Sequence, residues 1–354
     1  MLHRNNQTAD PMKRFMASRR APPPLNLGLQ GGGAHGAYTW GVLDALLDDG
    51  GLAFDGVSGT SAGAMNAVVL AHGLARGGRD GAREALQAFW QSVAASVPFD
   101  AALGADPASG DLSVGMRLFL SWTRRFSARQ LNPLDINPLR QILATQIDFD
   151  RLRASSPVEL FVAATRVADG KLRLFRTHEL SVDALLASAC LPSIHHAVEI
   201  DGEHYWDGAY SANPAVFPLF YDCAADDILL VLLTPRHHGE PPQSPDEVNL
   251  RSMELAFNAP FLREMAAFAR AGEAVRRTLL PLSGFDRKLR RTRFHLIEAD
   301  SLTSQLASES KLTTSLAFLE MLRDAGRDDA RAWLAAHRND LGRRSSTDLG
   351  SRFG

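Results

Sequence analysis

Leu25-Asn26-Leu27-Gly28-Leu29-Gln30-Gly31-Gly32-Gly33-Ala34-His35-Gly36 is the stretch on which the fold turns. Its first six residues alternate in the manner of a short strand, three glycines break the pattern, and a helix-like run continues to about Leu47. Strand, glycine turn and helix are therefore predicted in that order. A second copy follows, with Phe54 to Val57 as strand, Gly59-Thr60-Ser61-Ala62-Gly63 as turn, and an Ala/Val/Leu-rich helix through about Leu70. Two such units in succession predict an α/β sheet with parallel strands.

Further along, Val158 to Ala164 and Leu172 to Phe175 read as strands separated by Asp169-Gly170, and Ser181 to Ala189 reads as a helix. Val198-Glu199-Ile200 and His204-Tyr205-Trp206 flank Asp201-Gly202, a dipeptide suited to the positive φ angles of a type I′ turn, so a hairpin hands the chain to Asp207-Gly208-Ala209. Ile228 to Leu233 is an unbroken apolar run, which a strand tolerates when both of its faces are buried. Between residues 97 and 137, Pro98, Gly104, Pro107, Gly110 and Pro133 are interleaved with Leu118, Phe119, Leu120, Trp122 and Phe126. That segment reads as an irregular insertion that covers something apolar. Asn137 as cap and Pro138 at the first position start a helix that runs to about Gln146.

After Pro235 the pattern is helical from about Asn249 to Leu280, strand-like from Arg293 to Ile297, and helical again in two stretches from about Thr313. The predicted division is a disordered basic arm at 1–24, a main α/β domain at 25–235, a mostly helical extension at 236–340 with a strand at 293–297 available to the sheet, and a flexible tail at 341–354.

The chain has 354 residues, 45% of them hydrophobic, with 38 Lys and Arg against 40 Asp and Glu. This is a globular composition without the charge footprint of a nucleic-acid binder. Two cysteines, Cys190 and Cys223, suggest neither a disulfide framework nor a thiolate metal site, and point to a reducing compartment such as the cytoplasm. No run approaches the ~20 apolar residues that span a bilayer. Arg4, Lys13, Arg14, Arg19 and Arg20 are followed by no signal-like apolar stretch before Pro22-Pro23-Pro24. This arm and Arg287-Lys288-Leu289-Arg290-Arg291-Thr292-Arg293 leave open a peripheral contact with anionic membrane, against the plainer reading of solvated surface. The oligomeric state is not legible.

The chemistry lies in three motifs. Gly31 to Gly36 satisfies G-x-G-x-x-G, and a dinucleotide-binding reading would press Asp55 into the role of ribose-binding acid. Gly59-Thr60-Ser61-Ala62-Gly63, however, is G-x-S-x-G between a strand and a helix, the setting of a nucleophile elbow. With Ser61 as nucleophile the first glycines acquire a different use, because the N–H groups of Gly32, Gly33 and Ala34 can meet the negative charge that develops on an ester oxygen. Both turns also open helices, whose N-termini favour an anion. A serine needs a base, and Asp207 in Asp207-Gly208-Ala209, 146 residues beyond Ser61, is the candidate.

These three motifs, in this order, resemble those of the patatin-like phospholipases. The similarity includes Ala187-Ser188-Ala189-Cys190-Leu191-Pro192 and covers about Leu25 to Pro235, while Asn137-Pro138-Leu139-Arg140, Phe257-Asn258-Ala259-Pro260 and Ser310-Lys311-Leu312 are similar to a bacterial branch with a C-terminal extension. The resemblance implies an α/β fold of three layers, α/β/α, with a mainly parallel central sheet and a largely helical C-terminal extension. It implies hydrolysis of fatty acyl esters in phospholipid or lysophospholipid, presented as lipid or at a membrane surface. Ser61 would be the nucleophile and Asp207 the base, with no histidine, through an acyl-serine intermediate. Gly31, Gly32, Gly33 and Ala34 would form the oxyanion hole, supported by His35, Gly36, Gly59, Gly63 and Gly208; neither cofactor nor metal is implied. The family most often has Arg or Lys where this chain has His35, so that residue is given a supporting role only.

His195 and His196, near the aspartate motif, read as solvated or structural, and His237-His238 lacks the spacing of a zinc motif. The alternatives are acyl transfer or thioester hydrolysis on the same acyl-serine, a dinucleotide-binding protein, and a lipid-binding protein with a dead site.

Overall fold

The computed structural model describes residues 24–96, 128–277, 283–306 and 308–354. The expected units are present, with boundaries moved by a few residues except at the end of the second helix: β1 is Pro24–Leu29, α1 Gly36–Asp49, β2 Ala53–Thr60 and α2 Ala62–Ser96. Helix α2 continues well past Leu70 and is interrupted at Gly77 and Gly78, whose backbone angles are not helical. Helix α3 is Pro138–Gln146, and the Asn137 side chain accepts from Leu139 N at 3.1 Å. Strands β3 (Glu159–Arg166) and β4 (Leu172–Arg176) precede α4 (Val182–Ser188), which is capped by Ser181. In the hairpin of β5 (Val198–Ile200) and β6 (Glu203–Asp207), Asp201 and Gly202 have φ of 53° and 79°, as the expected turn requires. The fold continues with α5 (Phe217–Asp222), β7 (Asp227–Leu232), α6 (Pro245–Arg277), α7 (Gly284–Arg291), β8 (Arg293–Glu298) and α8 (Leu316–His337).

Eight strands form one sheet in the order β5-β6-β3-β2-β1-β7-β8, with β4 paired to β3. β3, β2, β1, β7 and β8 run parallel to their neighbours, and β4, β5 and β6 are antiparallel additions. Side chains alternate across the strands, so β7 sends Leu229 and Val231 into one core, with Leu27, Tyr38 and Phe318, and Ile228 and Leu230 into another, with Phe220, Phe261 and Phe294. Burial on both faces is what its unbroken apolar run called for. The result is three layers, α/β/α, with a mainly parallel central sheet.

The extension completes this architecture. β8 pairs parallel to β7 from Asp227↔Arg293 to Leu232↔Glu298. Helix α8 lies against α1, where Tyr38 Oη donates to Asp329 Oδ2 at 2.6 Å and Arg327 Nη2 meets Asp44 Oδ2 at 2.6 Å.

The stretch 341–354, expected to be a flexible tail, is instead docked. Gly342 N donates to Asp227 Oδ1 at 3.0 Å, and Phe294 N donates to Ser345 Oγ at 3.1 Å. Leu349–Phe353 forms a short helix, with Phe353 edge-on to Phe261 at 5.7 Å. Buried β8 main chain and the Asp227 carboxylate need partners, and the tail supplies them. Of the basic arm expected at 1–24, residues 1–23 lie outside the described residues, as do the aromatics of the insertion at 118–126, while Pro24 begins β1.

Candidate active site

The carboxyl ends of the parallel strands carry the site. From β1 the chain crosses to β2 on one side, and from β7 to β8 on the other, so the winding reverses between β1 and β7. The glycine loop leaves the end of β1 and Ser61 leaves the end of β2.

Ser61 sits in a left-handed conformation, φ 53°, between strand and helix. Such an angle is unusual for a residue with a Cβ and is tolerated when the surroundings hold it. Here the Ser61 N–H donates to Ser188 Oγ at 2.9 Å, Thr60 Oγ1 donates to the Ala212 carbonyl at 2.8 Å, and the Ser61 carbonyl accepts from Met65 N at 3.0 Å. Gly63 is required at the turn, since a Cβ there would collide with the Leu29 carbonyl. A Cβ at Gly59 would stand 2.5 Å from the Gly63 carbonyl oxygen.

Asp207 reaches Ser61 through the register of β3. That strand pairs Ala163 with Thr60 of β2 and its next residue, Ala164, with Asp207 of β6. Thr165 pairs with both Leu172 of β4 and Trp206 of β6, so β6 occupies the edge that β2 vacates. The serine after Thr60 and the aspartate ending β6 are thus brought together by consecutive positions of one strand. Asp207 N donates to the Cys190 carbonyl at 2.8 Å, its carbonyl accepts from Thr165 Oγ1 at 2.9 Å, and its Oδ1 accepts from Ala209 N at 2.8 Å. Burial raises its pKa to about 7, against the lowering effect of the Ala209 N–H and of a hydrogen bond with Ser61.

In the glycine loop, one expected oxyanion donor is corrected. Gly31 N donates to Asn213 Oδ1 at 2.7 Å and is not free. The N–H groups of Gly32, Gly33 and Ala34 have no partner among the described residues. Gly33 has φ 60°, with the Lys311 carbonyl packed against its Cα. His35 is buried, its Nε2 lies 2.7 Å from Ser310 Oγ, and burial, then the Lys311 charge, lowers its pKa to about 3. A neutral His35 therefore ties the loop to the C-terminal segment. Gly36 packs against Ala62 and Trp90 where α1 and α2 begin, and Asn66 joins those helices by donating to the Gly36 and Ala62 carbonyls at 2.9 and 3.1 Å. Gly208 lies flush on the Ala163 carbonyl.

His196 Nδ1 faces Asp135 at 3.8 Å, and no hydrogen bond joins His195 or His196 to Ser61 or Asp207. Asp55, required by the dinucleotide reading, lies in the first half of β2, away from the glycine loop, and accepts from Ala224 N and Ala225 N, both at 2.7 Å. The basic run 287–293 is largely engaged within the protein at the opposite ends of the strands: Arg291 pairs with Asp226, Arg293 with Asp227, and Lys288 Nζ donates to the Cys223 carbonyl at 3.0 Å. Among the described residues, no His/Cys/Asp/Glu group is placed to hold a metal, and no helix is long and apolar enough to cross a membrane.

Three participants were not singled out by sequence reasoning. Ser188 anchors the elbow and Asn213 anchors Gly31. Gln30 accepts from Leu233 N and Thr234 N at 2.6 and 2.9 Å, joining the ends of β1 and β7. Asn213, six residues past Asp207, carried a signal in its proximity to that motif and Ser188 in the 187–192 stretch that resembles the family, whereas Gln30 carried none as an isolated polar residue.

The sheet is mostly parallel, with Ser61 on a left-handed turn after β2 and the buried Asp207 at the end of β6. Residues 27–220, more than half of the chain, match the family model described as Patatin-like phospholipase, and the chain belongs to that family. No curated protein matches the chain. Among solved structures it is similar to VipD from Legionella pneumophila, at 15% identity over 88% of this chain and 67% of that one, with a TM-score of 0.40. It is also similar to the type III effector ExoU of Pseudomonas aeruginosa, at 18% identity over 91% of this chain and 54% of that one, with a TM-score of 0.34. The chain thus spans about half the length of the ExoU chain. Membership in the family supports lipid acyl hydrolase activity.

Proposed function

We propose that this protein hydrolyses fatty acyl esters of phospholipid or lysophospholipid through a Ser61-Asp207 dyad. The observation that carries the reading is the β3 register, which sets the end of β2 and the end of β6 side by side. Ser61 Oγ attacks the ester carbonyl carbon while its proton passes to Asp207. Negative charge develops on the carbonyl oxygen and is met by the N–H groups of Gly32, Gly33 and Ala34. Collapse of the tetrahedral species breaks the bond to the leaving alcohol, which takes the proton from Asp207. Water then attacks the acyl-serine with Asp207 again as base, releasing the fatty acid.

An ordinary aspartate is too weak a base for this work near neutral pH. Burial that lifts its pKa to about 7 brings it into the range where a general base is effective. Lipid as the acyl donor follows from the family, because nothing in the dyad itself selects an acyl chain.

The test is labelling with a fluorophosphonate probe together with ester hydrolysis. Wild type is expected to label and to hydrolyse, Ser61→Ala to do neither, and Asp207→Asn to lose ~10²-fold or more in hydrolysis. Alanine at His195, His196 or His237 is expected to leave activity within about tenfold of wild type. A histidine as essential as Ser61 would replace the dyad by a triad.

A further inference from the structure

Open α/β sheets bind ligands in the crevice beyond the carboxyl ends of the strands, where the winding reverses. In this sheet that place lies between β1 and β7, and a cavity of about 220 Å³ opens beside it. Its walls include His35 of the glycine loop, Leu233 and His238 after β7, Arg251 and Glu254 of α6, and Lys311. Neither Ser61 nor Asp207 lines it. The glycine loop is a wall shared with the candidate active site: a Cβ at Gly32 would stand 3.1 Å from Leu233 Cδ1, and Gly33 rests on the Lys311 carbonyl.

Among the described residues, the charges of this cavity do not cancel. Lys311 Nζ meets Glu254 Oε1 at 2.6 Å, which neutralises that pair. Arg251 Nη1 donates to the His238 carbonyl at 2.9 Å, and Arg251 has no carboxylate partner among the described residues. His35 and His238 are both held below their ordinary pKa, mainly by burial, so neither adds charge at neutral pH. Among the described residues, one guanidinium therefore remains in excess. In the wall formed by the glycine loop, His35 is 2% exposed and its Nδ1 has no hydrogen-bond partner among the described residues. A buried polar atom without a partner is costly, and a planar guanidinium matches the oxygens of a phosphate in geometry as well as charge.

We propose that this cavity takes a phosphate-bearing group, the headgroup of the lipid whose ester lies at Ser61, with Arg251 as its principal counter-ion. The end of β7 is two strand spacings, ~10 Å, from the end of β2, the order of the distance from a phospholipid ester to the far side of its headgroup. The headgroup assignment rests on the acyl-hydrolase reading, whereas occupancy of the cavity by phosphate does not. Arg251 is a specificity residue here and has no part in the bond-making steps.

The experiment has a binding arm and a kinetic arm. Glycerol 3-phosphate is titrated calorimetrically into Ser61→Ala and into Ser61→Ala/Arg251→Gln. Saturable binding is expected in the first and a weakening of about tenfold or more in the second, the equivalent of one charge-assisted hydrogen bond. No saturable binding, or equal binding by both proteins, overturns the site. In the kinetic arm, Arg251→Gln is expected to raise KM for phosphatidylglycerol vesicles about tenfold and to leave kcat/KM for an uncharged short-chain ester unchanged. Competition by glycerol 3-phosphate against phosphatidylglycerol supports the headgroup as occupant, while binding without competition assigns the cavity to a free phosphate compound and overturns the headgroup. Because binding is read in Ser61→Ala, a wild type without esterase activity would sink the hydrolase reading and leave the cavity measurement standing.

Discussion

At Asp207, burial acts on function and stability in opposite directions. Its pKa rises from an ordinary 3.8 to about 7, so between those values the folded protein holds a proton that the unfolded chain has released. Stability from this group is therefore greatest below about pH 4 and is lost as pH rises towards and through 7. Asp207→Asn removes the buried charge and keeps an oxygen to accept from Ala209 N. It is expected to be more stable than wild type by roughly 2 kcal/mol or more at pH 8, with the difference vanishing near pH 4. Urea melts of both proteins at the two pH values check this, and equal stability at pH 8 would contradict the buried-carboxylate account. In wild type, kcat/KM is expected to rise with pH through about 7 as Asp207, the proposed base, ionises. The sequence made Asp207 legible as a residue through its motif. Its basicity was not legible, because desolvation comes from residues distant along the chain.

Among the elements, the contact of α8 with α1 decides how the extension joins the main domain. Gly326 of α8 lies against the Tyr38 carbonyl, and Gly41 of α1 lies against the Arg323 carbonyl, so the two helices approach at backbone distance. Gly326→Ala places a methyl group on the Tyr38 carbonyl and is expected to cost about 1–3 kcal/mol. The urea midpoint should fall accordingly, and an unchanged midpoint would show that the helices separate freely. The sequence located α3 to the residue, because Asn137 and Pro138 are local signals, and it located the β5–β6 turn through Asp201-Gly202. It stopped α2 near Leu70, since the small and charged residues that follow dilute the apolar stripe, and the helix continues on packing by Ala82, Leu86, Phe89 and Trp90.

At the scale of the molecule, the C-terminal part is continuous with the core. The tail joins the β7–β8 edge through Gly342 and Ser345, and His295 bridges Asp227 and Ser346 at 3.0 Å on each side. Removing residues 341–354 leaves buried polar groups of Asp227, Phe294 and His295 without these partners. The truncated chain is expected to lose about 2–4 kcal/mol by denaturant titration. A loss within error would return the tail to the flexible role that its composition suggested.

The sequence by itself determined the strand-turn-helix units, the parallel α/β class and the three motifs, because each is a local pattern of periodicity or backbone permissiveness carried by contiguous residues. The tertiary structure alone decided that β6 fills the edge beyond β2 and sets Asp207 beside Ser61, that Gly31 is committed to Asn213, and that the extension backs the glycine loop through Ser310 and Lys311. Strand register and desolvation are sums over residues far apart in the chain, and no local pattern encodes them.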